Sequence, residues 1–271
     1  MLAPTFAVEV LELDIPKATA VELRELDTIC QRHSVVVVRN QQLCPDELVR
    51  VGERFGHVSP QRRVGPHPDN PGISILSNKK VDGQFIGVHE SGRAWHSDGT
   101  TYPTLGLTTL LYAVELPGEG GDTLYADTKA AYEALPEKRR RELAPIRVVH
   151  NRSLLFDRAI GPKLTPEERA EMPDLLHPIV VDSPIGGGQA LFLTRGSMKG
   201  VDGMDQEAGS ALISGLIAHV TQEQYVYRHH WLDGDLVIWN NLCTMHSATD
   251  FDDTKYDRVV YRVWVRPDQM G

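Results

Sequence analysis

Ser34-Val35-Val36-Val37-Val38-Arg39 sets four β-branched residues in a row between two polar ones. β-Branched side chains fit a pleated surface, and a strand that is apolar on both faces has to be covered on both. The segment is therefore expected to be a strand inside a layered structure. Upstream, residues 17–32 place Ala20, Leu23, Leu26 and Cys30 at the spacing of an amphipathic helix with one buried face. Downstream, Pro45 opens a second helix whose core positions are Leu48, Val51 and Phe55.

Farther along, the apolar, threonine-rich residues 106–114 suit a strand, and residues 128–143 have helical composition. Thr165-Pro166-Glu167-Glu168 has the form of a capping box with proline at the first helical position, and residues 203–221 read as a last helix. Short strand-like runs follow at 224–228, 235–239 and 259–265, separated by turn residues. Helices near the front, short strands throughout and a strand-rich end predict a mainly β chain with flanking helices, a sandwich or open barrel with helices packed on one sheet. No GxGxxG follows a strand, and there is no Walker A motif, GxSxG elbow or internal repeat, so nucleotide-binding and serine-hydrolase folds lose their usual support. No Ser/Gly-rich or highly charged linker interrupts the chain, which is expected to form a single domain over residues 1–271.

Hydrophobic residues make up 41% and charged residues 24%, the balance of an ordinary globular protein with enough length for a large core. A formal charge of −9, from 37 acidic against 28 basic residues, repels nucleic-acid phosphates and anionic membranes. The densest basic run, Arg139-Arg140-Arg141, follows Pro136-Glu137-Lys138 and reads as a solvated helix face. Met1-Leu2-Ala3-Pro4-Thr5 has no basic region leading into a long apolar one, and Val35–Val38 is too short to span a bilayer, so a cytoplasmic location is expected. Cys30, Cys44 and Cys243 are odd in number, widely separated and without a CxxC pair, which predicts reduced thiols. The expected partner is a small molecule, with self-association into a dimer or tetramer left open.

Chemistry concentrates at Trp95-His96-Ser97-Asp98. On an extended strand, side chains two positions apart project from one face, so His96 and Asp98 could hold two adjacent sites of a metal. A third ligand from elsewhere would complete a two-histidine, one-carboxylate triad, leaving three positions open on ferrous iron. His246, just past the strand expected over residues 235–239, is the candidate. His67-Pro68-Asp69 has the same spacing, but proline sits between its candidate ligands in what reads as an irregular loop. Taken alone, His96 and Asp98 also suit a hydrogen-bonded surface histidine.

Several ordered segments change that balance. Val36-Val37-Val38-Arg39-Asn40-Gln41-Gln42-Leu43, Arg54-Phe55-Gly56, Trp95-His96-Ser97-Asp98-Gly99 and Pro117-Gly118-Glu119-Gly120-Gly121-Asp122-Thr123-Leu124 occur in that order, the last followed by Ala131-Tyr132-Glu133-Ala134-Leu135-Pro136. His177-Pro178-Ile179-Val180, Ala190-Leu191-Phe192, Gly234-Asp235-Leu236, Trp239-Asn240-Asn241, His246, Arg258 and Arg262 continue the series. This set resembles the taurine dioxygenase and 2,4-dichlorophenoxyacetate dioxygenase (TauD/TfdA) family over roughly residues 35–265.

The resemblance implies a double-stranded β-helix, the cupin-like jelly roll. It also implies an oxygenase that uses Fe(II) with 2-oxoglutarate and O2 as co-substrates, releasing succinate and CO2, with His96, Asp98 and His246 as metal ligands. Thr123 and Arg258 match the pair that holds the distal carboxylate of 2-oxoglutarate; a partly buried carboxylate needs such donors, and a guanidinium offers a two-pronged charged contact. Arg262 matches a second arginine near the metal pocket, and Trp239 a tryptophan beside it. Asn78 and Arg93 fall where relatives shape the substrate mouth, with Lys79, Lys80, Gln84, His89 and His67 in the same region. Periodicity alone reads the end differently: Val259, Tyr261, Val263 and Val265 form an apolar face that could be the only buried one, leaving Arg258, Arg262 and Arg266 in solvent.

Retention of Asp98, where related halogenases carry a small residue, implies hydroxylation, or a desaturation or dealkylation that starts the same way. Arg262 and the basic group Lys79, Lys80 and Arg93 predict a small anionic substrate in an otherwise acidic chain. The alternatives are an inactive barrel kept as a ligand-binding module, and a zinc hydrolase using the same triad, which would leave Thr123 and Arg258 without a purpose.

Overall fold

In this computed structural model, the described residues are 6–61, 65–89, 92–106, 108–158 and 163–267. Residues 1–5, read above for a leader, lie outside them, as does Leu107 in the strand expected over 106–114, which spans Thr108–Glu115.

Val35–Val38 is a fully buried strand, second from the edge of the main sheet. It pairs in parallel with Ala7–Val10 and antiparallel with Leu236–Asn240. The sheet continues antiparallel through Thr108–Glu115 to Val259–Arg266, which also pairs with Ile73–Ser77 and His57–Val58. A second antiparallel sheet orders Val226–His229, Thr123–Asp127 and Thr244–Ala248.

Alternation along the valine run sends its side chains into two different cores. Val35 and Val37 join Leu111, Val237, Trp239 and Val260 against Tyr125 and Tyr227 of the second sheet, so this core lies between the sheets. Val36 and Val38 join Leu110, Ile238, Val263 and Val265 beneath Leu26 and Leu48 of the two front helices. Of those helices, Pro45–Gly52 starts where expected, with Glu47 accepting from the Cys44 backbone N–H at 2.8 Å, whereas Ala20–Cys30, read from residue 17, starts at Ala20, where Thr19 and Glu22 close a reciprocal cap. On the first helix only Leu26 is fully buried and Ala20 is exposed. The outer face of the second sheet, with Ala126 and Met245, packs on Ile213, Leu216 and Val220 of helix Gln206–Val220.

The helical stretch read over residues 128–143 is two helices, Thr128–Glu133 and Glu137–Leu143. Pro136 ends the first, because it lacks a backbone donor and pushes the residue before it toward extended conformations. A side sheet of Asp174–Pro178, Arg147–Asn151 and Met198–Val201 was not anticipated, since its strands alternate weakly and carry polar residues. No helix among the described residues is long and apolar enough to cross a membrane.

Candidate metal centre

Trp95-His96-Ser97-Asp98 is not a regular strand. His96 is a single bridge residue between His246 and Thr194, and Asp98 begins a turn. The shared face expected from a strand is achieved instead by separate anchors. The His96 imidazole is oriented by a 2.7 Å contact between its Nδ1 and the Ala94 carbonyl, which fixes Nδ1 as the donor and leaves the Nε2 lone pair free. The backbone N–H of Asp98 donates to Asn241 Oδ1 at 3.0 Å, and Asp98 Oδ2 accepts from Thr109 Oγ1 and Trp264 Nε1, both at 3.1 Å. His246 sits inside strand Thr244–Ala248 rather than after a strand, with Trp239 edge-on to its ring at 4.8 Å.

His96 Nε2 lies 3.8 Å from Asp98 Oδ1, and His246 Nε2 lies 3.8 Å from Asp98 Oδ2. Both are too long for hydrogen bonds. The ligand atoms of the three residues lie within 4.8 Å of one another, the one such cluster found among the described residues. Burial pushes the His246 imidazole down to about 3, so it is neutral and its nitrogen can bind a cation. Burial works against ionisation of Asp98, but charge on the His246 and His96 imidazoles when they are protonated, the Arg262 guanidinium and the Thr109 hydroxyl outweigh it and hold the carboxyl below its usual range. Two imidazoles and one carboxylate gathered without satisfying each other fit a divalent metal such as ferrous iron.

Thr123 begins strand Thr123–Asp127, buried, and accepts from Trp231 Nε1 at 3.1 Å. Arg258 precedes strand Val259–Arg266, its backbone N–H donating to Asn78 Oδ1 at 2.8 Å. The Arg258 side chain runs over Gly121, where a Cβ would stand 3.3 Å from its Cδ and Nε. Gly121 thus makes room for the Arg258 side chain, whereas Gly120 lies against the backbone of Asp250 and Phe251. Burial lowers Arg258 to about 10, which leaves it charged at neutral pH, and its Nε has no hydrogen-bond partner.

Helices cover the apolar face of Val259–Arg266, so the arginine face looks inward and the solvent-facing reading of Arg262 fails. Arg262 is half-buried, stacks over the Trp264 ring at 4.0 Å and reaches Ser74 Oγ at 3.4 Å. Arg266 stands over the Tyr102 ring at 5.8 Å.

The other candidates are placed differently. Asn78 ties down the loop before Arg258, donating to the carbonyls of Tyr256 at 2.8 Å and Asp253 at 3.2 Å. Arg93 is exposed and paired with Asp250 and Asp253, and Lys79 is paired with Glu115 and Asp257. Lys80 and His89 flank Phe85, and Gln84 lies on the exposed hairpin that carries Lys80 and Phe85. His67 is buried edge-on against Tyr261 and accepts from the Asp69 backbone N–H, a structural role. His229 and His230 are held by Asp235 and Asp122. Thr109, Asn241, Trp231 and Trp264, which support the candidate ligands, were missed; as single strand or turn residues they carry no distinguishing spacing.

The family model described as "Taurine catabolism dioxygenase TauD, TfdA family" matches residues 1–264. The chain is 31% identical over 267 residues to an alpha-ketoglutarate-dependent 2,4-dichlorophenoxyacetate dioxygenase of Cupriavidus pinatubonensis, covering 93% of this chain and 91% of that one. It is also 31% identical over 244 residues to a pentalenolactone F synthase of Streptomyces arenae, covering 85% and 82%. The crystal structure of AAD-2 in complex with Mn(II) and N-oxalylglycine superposes with a TM-score of 0.78 at 26% identity, covering 97% of this chain and 94% of that one.

Proposed function

The chain belongs to the TauD, TfdA family of dioxygenases, an Fe(II)- and 2-oxoglutarate-dependent oxidoreductase class, and from that premise we propose that His96, Asp98 and His246 hold the iron and that a small anionic metabolite is hydroxylated. The observation that carries this reading is the convergence of the three ligand atoms within 4.8 Å, with no hydrogen bond between them. Bound iron supplies the activation of O2 coupled to oxidative decarboxylation of 2-oxoglutarate to succinate and CO2, with one oxygen atom passing to the substrate.

The protein's own groups position and shield. Asp98 Oδ2 is occupied by Thr109 and Trp264, which leaves Oδ1 as the oxygen free to bind metal and favours single-oxygen ligation. Arg258, charged and half-buried, grips the distal carboxylate of 2-oxoglutarate with Thr123 beside it. Trp239 and Tyr125, both buried, wall the His246 side against water. The core shared by the two sheets supports the jelly roll that the family resemblance implies. Three free thiols support residence in a reducing cytoplasm.

Support for an anionic substrate narrows to Arg262, backed by Trp264 on the inner face, because Lys79 and Arg93 are spent on carboxylate partners. Asn78 acts by positioning Arg258 rather than by touching substrate. The test is a screen of anionic and neutral compounds for substrate-dependent succinate release together with a product heavier by one oxygen. Coupled turnover only with neutral or cationic compounds sinks the anionic assignment and leaves the oxygenase. A product lacking two hydrogens or an alkyl group assigns desaturation or dealkylation, and ligand binding without oxygen consumption assigns an inactive barrel.

A further inference from the structure

Tyr125 is fully buried and its hydroxyl has no hydrogen-bond partner. A buried phenol left this way has lost its hydration without compensation, and such orphans mark a missing partner. Its position indicates where the partner belongs. Tyr125 is the cross-strand partner of His246 and lies two residues after Thr123, so all three project from one face of the second sheet. Its ring packs against Trp239 at 5.3 Å and stacks with His246 at 6.3 Å. Burial and the neighbouring Tyr227 hydroxyl hold the phenol well above its ordinary range, so it is a proton donor, and the Arg258 guanidinium and then Asp98 are the charged groups that act on it.

Arg258 Nε is likewise without a partner, and the two groups do not bond to each other. Thr123 adds a third proton: with Trp231 Nε1 already donating to Thr123 Oγ1, the threonine's own O–H is free to point elsewhere. A guanidinium, a phenol and a threonine hydroxyl, all with protons to donate, call for a ligand with several acceptor oxygens and negative charge. A carboxylate meets that demand.

We propose that Tyr125 is a neutral donor to the distal carboxylate of 2-oxoglutarate, completing a three-residue clamp with Arg258 and Thr123. This rests on the oxygenase reading above and adds to it a residue that selects the co-substrate by its far end. A 2-oxo acid without a second carboxylate leaves all three donors unpaired.

The experiment compares Tyr125→Phe, which keeps the ring and removes only the hydroxyl, with the parent. Under anaerobic conditions, the Fe(II)-loaded proteins are titrated with 2-oxoglutarate and, separately, with 2-oxobutyrate, following the visible absorption of the chelate. A hydrogen bond to a charged group predicts that Tyr125→Phe weakens 2-oxoglutarate binding roughly 10- to 100-fold, with 2-oxobutyrate binding and Fe(II) affinity unchanged. The metal-free variant should unfold at the same temperature as the parent or a higher one, since an unpaired buried hydroxyl has been removed. A role in packing alone would lower that temperature and spare the discrimination. Unchanged 2-oxoglutarate affinity, or equal weakening for both acids, overturns the clamp while the oxygenase reading stands. Failure of the parent itself to form a chelate overturns both.

Discussion

His96 and His246 are directly paired residues, the His96 N–H donating to the His246 carbonyl at 3.0 Å and the His246 N–H returning to the His96 carbonyl at 2.8 Å. Two candidate ligands 150 positions apart in sequence thus share one two-bond bridge, and their rings lie 4.1 Å apart between centroids. The backbone fixes this spacing before any metal arrives, so the side chains can be altered without dismantling the bridge.

Replacing His96 or His246 by Ala should therefore remove Fe(II) binding and turnover while the metal-free fold persists. Asp98→Ala should differ, because it strands the Thr109 hydroxyl and the Trp264 N–H, at about 1–3 kcal/mol for each group left buried. Asp98→Asn keeps an acceptor and should recover most of that stability without restoring turnover. Anaerobic metal titration with thermal melts of the metal-free proteins checks both parts; three variants that bind iron like the parent would refute the triad.

Trp264→Phe removes the donor to Asp98 and leaves a ring beneath Arg262. Loss of such a supporting contact commonly weakens metal binding by roughly 10- to 100-fold. Competition against a chelator of known affinity measures it, and parental affinity in the variant would count against a supporting role for Trp264.

Gly121→Ala introduces a Cβ 2.9 Å from Pro117 Cγ and 3.3 Å from the Arg258 side chain, at a φ of +69° that suits glycine. The guanidinium must shift, so the 2-oxoglutarate requirement should rise with little change in iron affinity. Arg258→Ala should raise it further, since stripping one partner from a desolvated charge pair costs ~3–5 kcal/mol, and Arg258→Lys should recover only part. Unchanged co-substrate affinity in Arg258→Ala would remove it from the pocket.

Acid should destabilise the metal-free protein over a defined window. Burial and the neighbouring His177 lower His150 to about 4 from an ordinary 6.5, while the unfolded chain titrates near the ordinary value. Above pH 6.5 neither state is protonated; as pH falls from 6.5 toward 4 the unfolded state takes up a proton the folded one refuses, costing up to ~3 kcal/mol. Denaturant midpoints for His150→Asn should decline less between pH 7 and pH 5 than those of the parent. Equal declines would refute this attribution.

What could be read from sequence was what depends on local pattern. Val35–Val38 announced a strand covered on both sides, and Pro45 and Thr165 mark helix starts by the chemistry of their own turns. The break at Pro136 was legible in principle, but the surrounding composition favoured one helix. At the site, the spacing of His96 and Asp98 pointed to a metal, although the shared face comes from Ala94, Asn241 and a bridge to His246 rather than from a strand. That Lys79 and Arg93 are ion-paired could not be read beforehand, because Glu115, Asp250 and Asp253 are brought near them only by folding. Strand periodicity likewise separates the two faces of Val259–Arg266 without saying which is inner, since valines can pack under helices as well as in a barrel.

That last strand keeps two jobs on opposite sides of one backbone. Tyr261, Val263 and Val265 belong to the core beneath the helices, whereas Arg262, Trp264 and Arg266 project from the opposite face, Arg262 over the Trp264 ring and Arg266 over the Tyr102 ring. Changes at Arg262 or Arg266 leave the helix-covered packing untouched, so the inner face of the strand can be altered without eroding the scaffold. Trp264 is the exception, because it also supports Asp98, and it should resist drift while its neighbours vary. The strand therefore offers a route by which one scaffold diversifies across metabolites during descent.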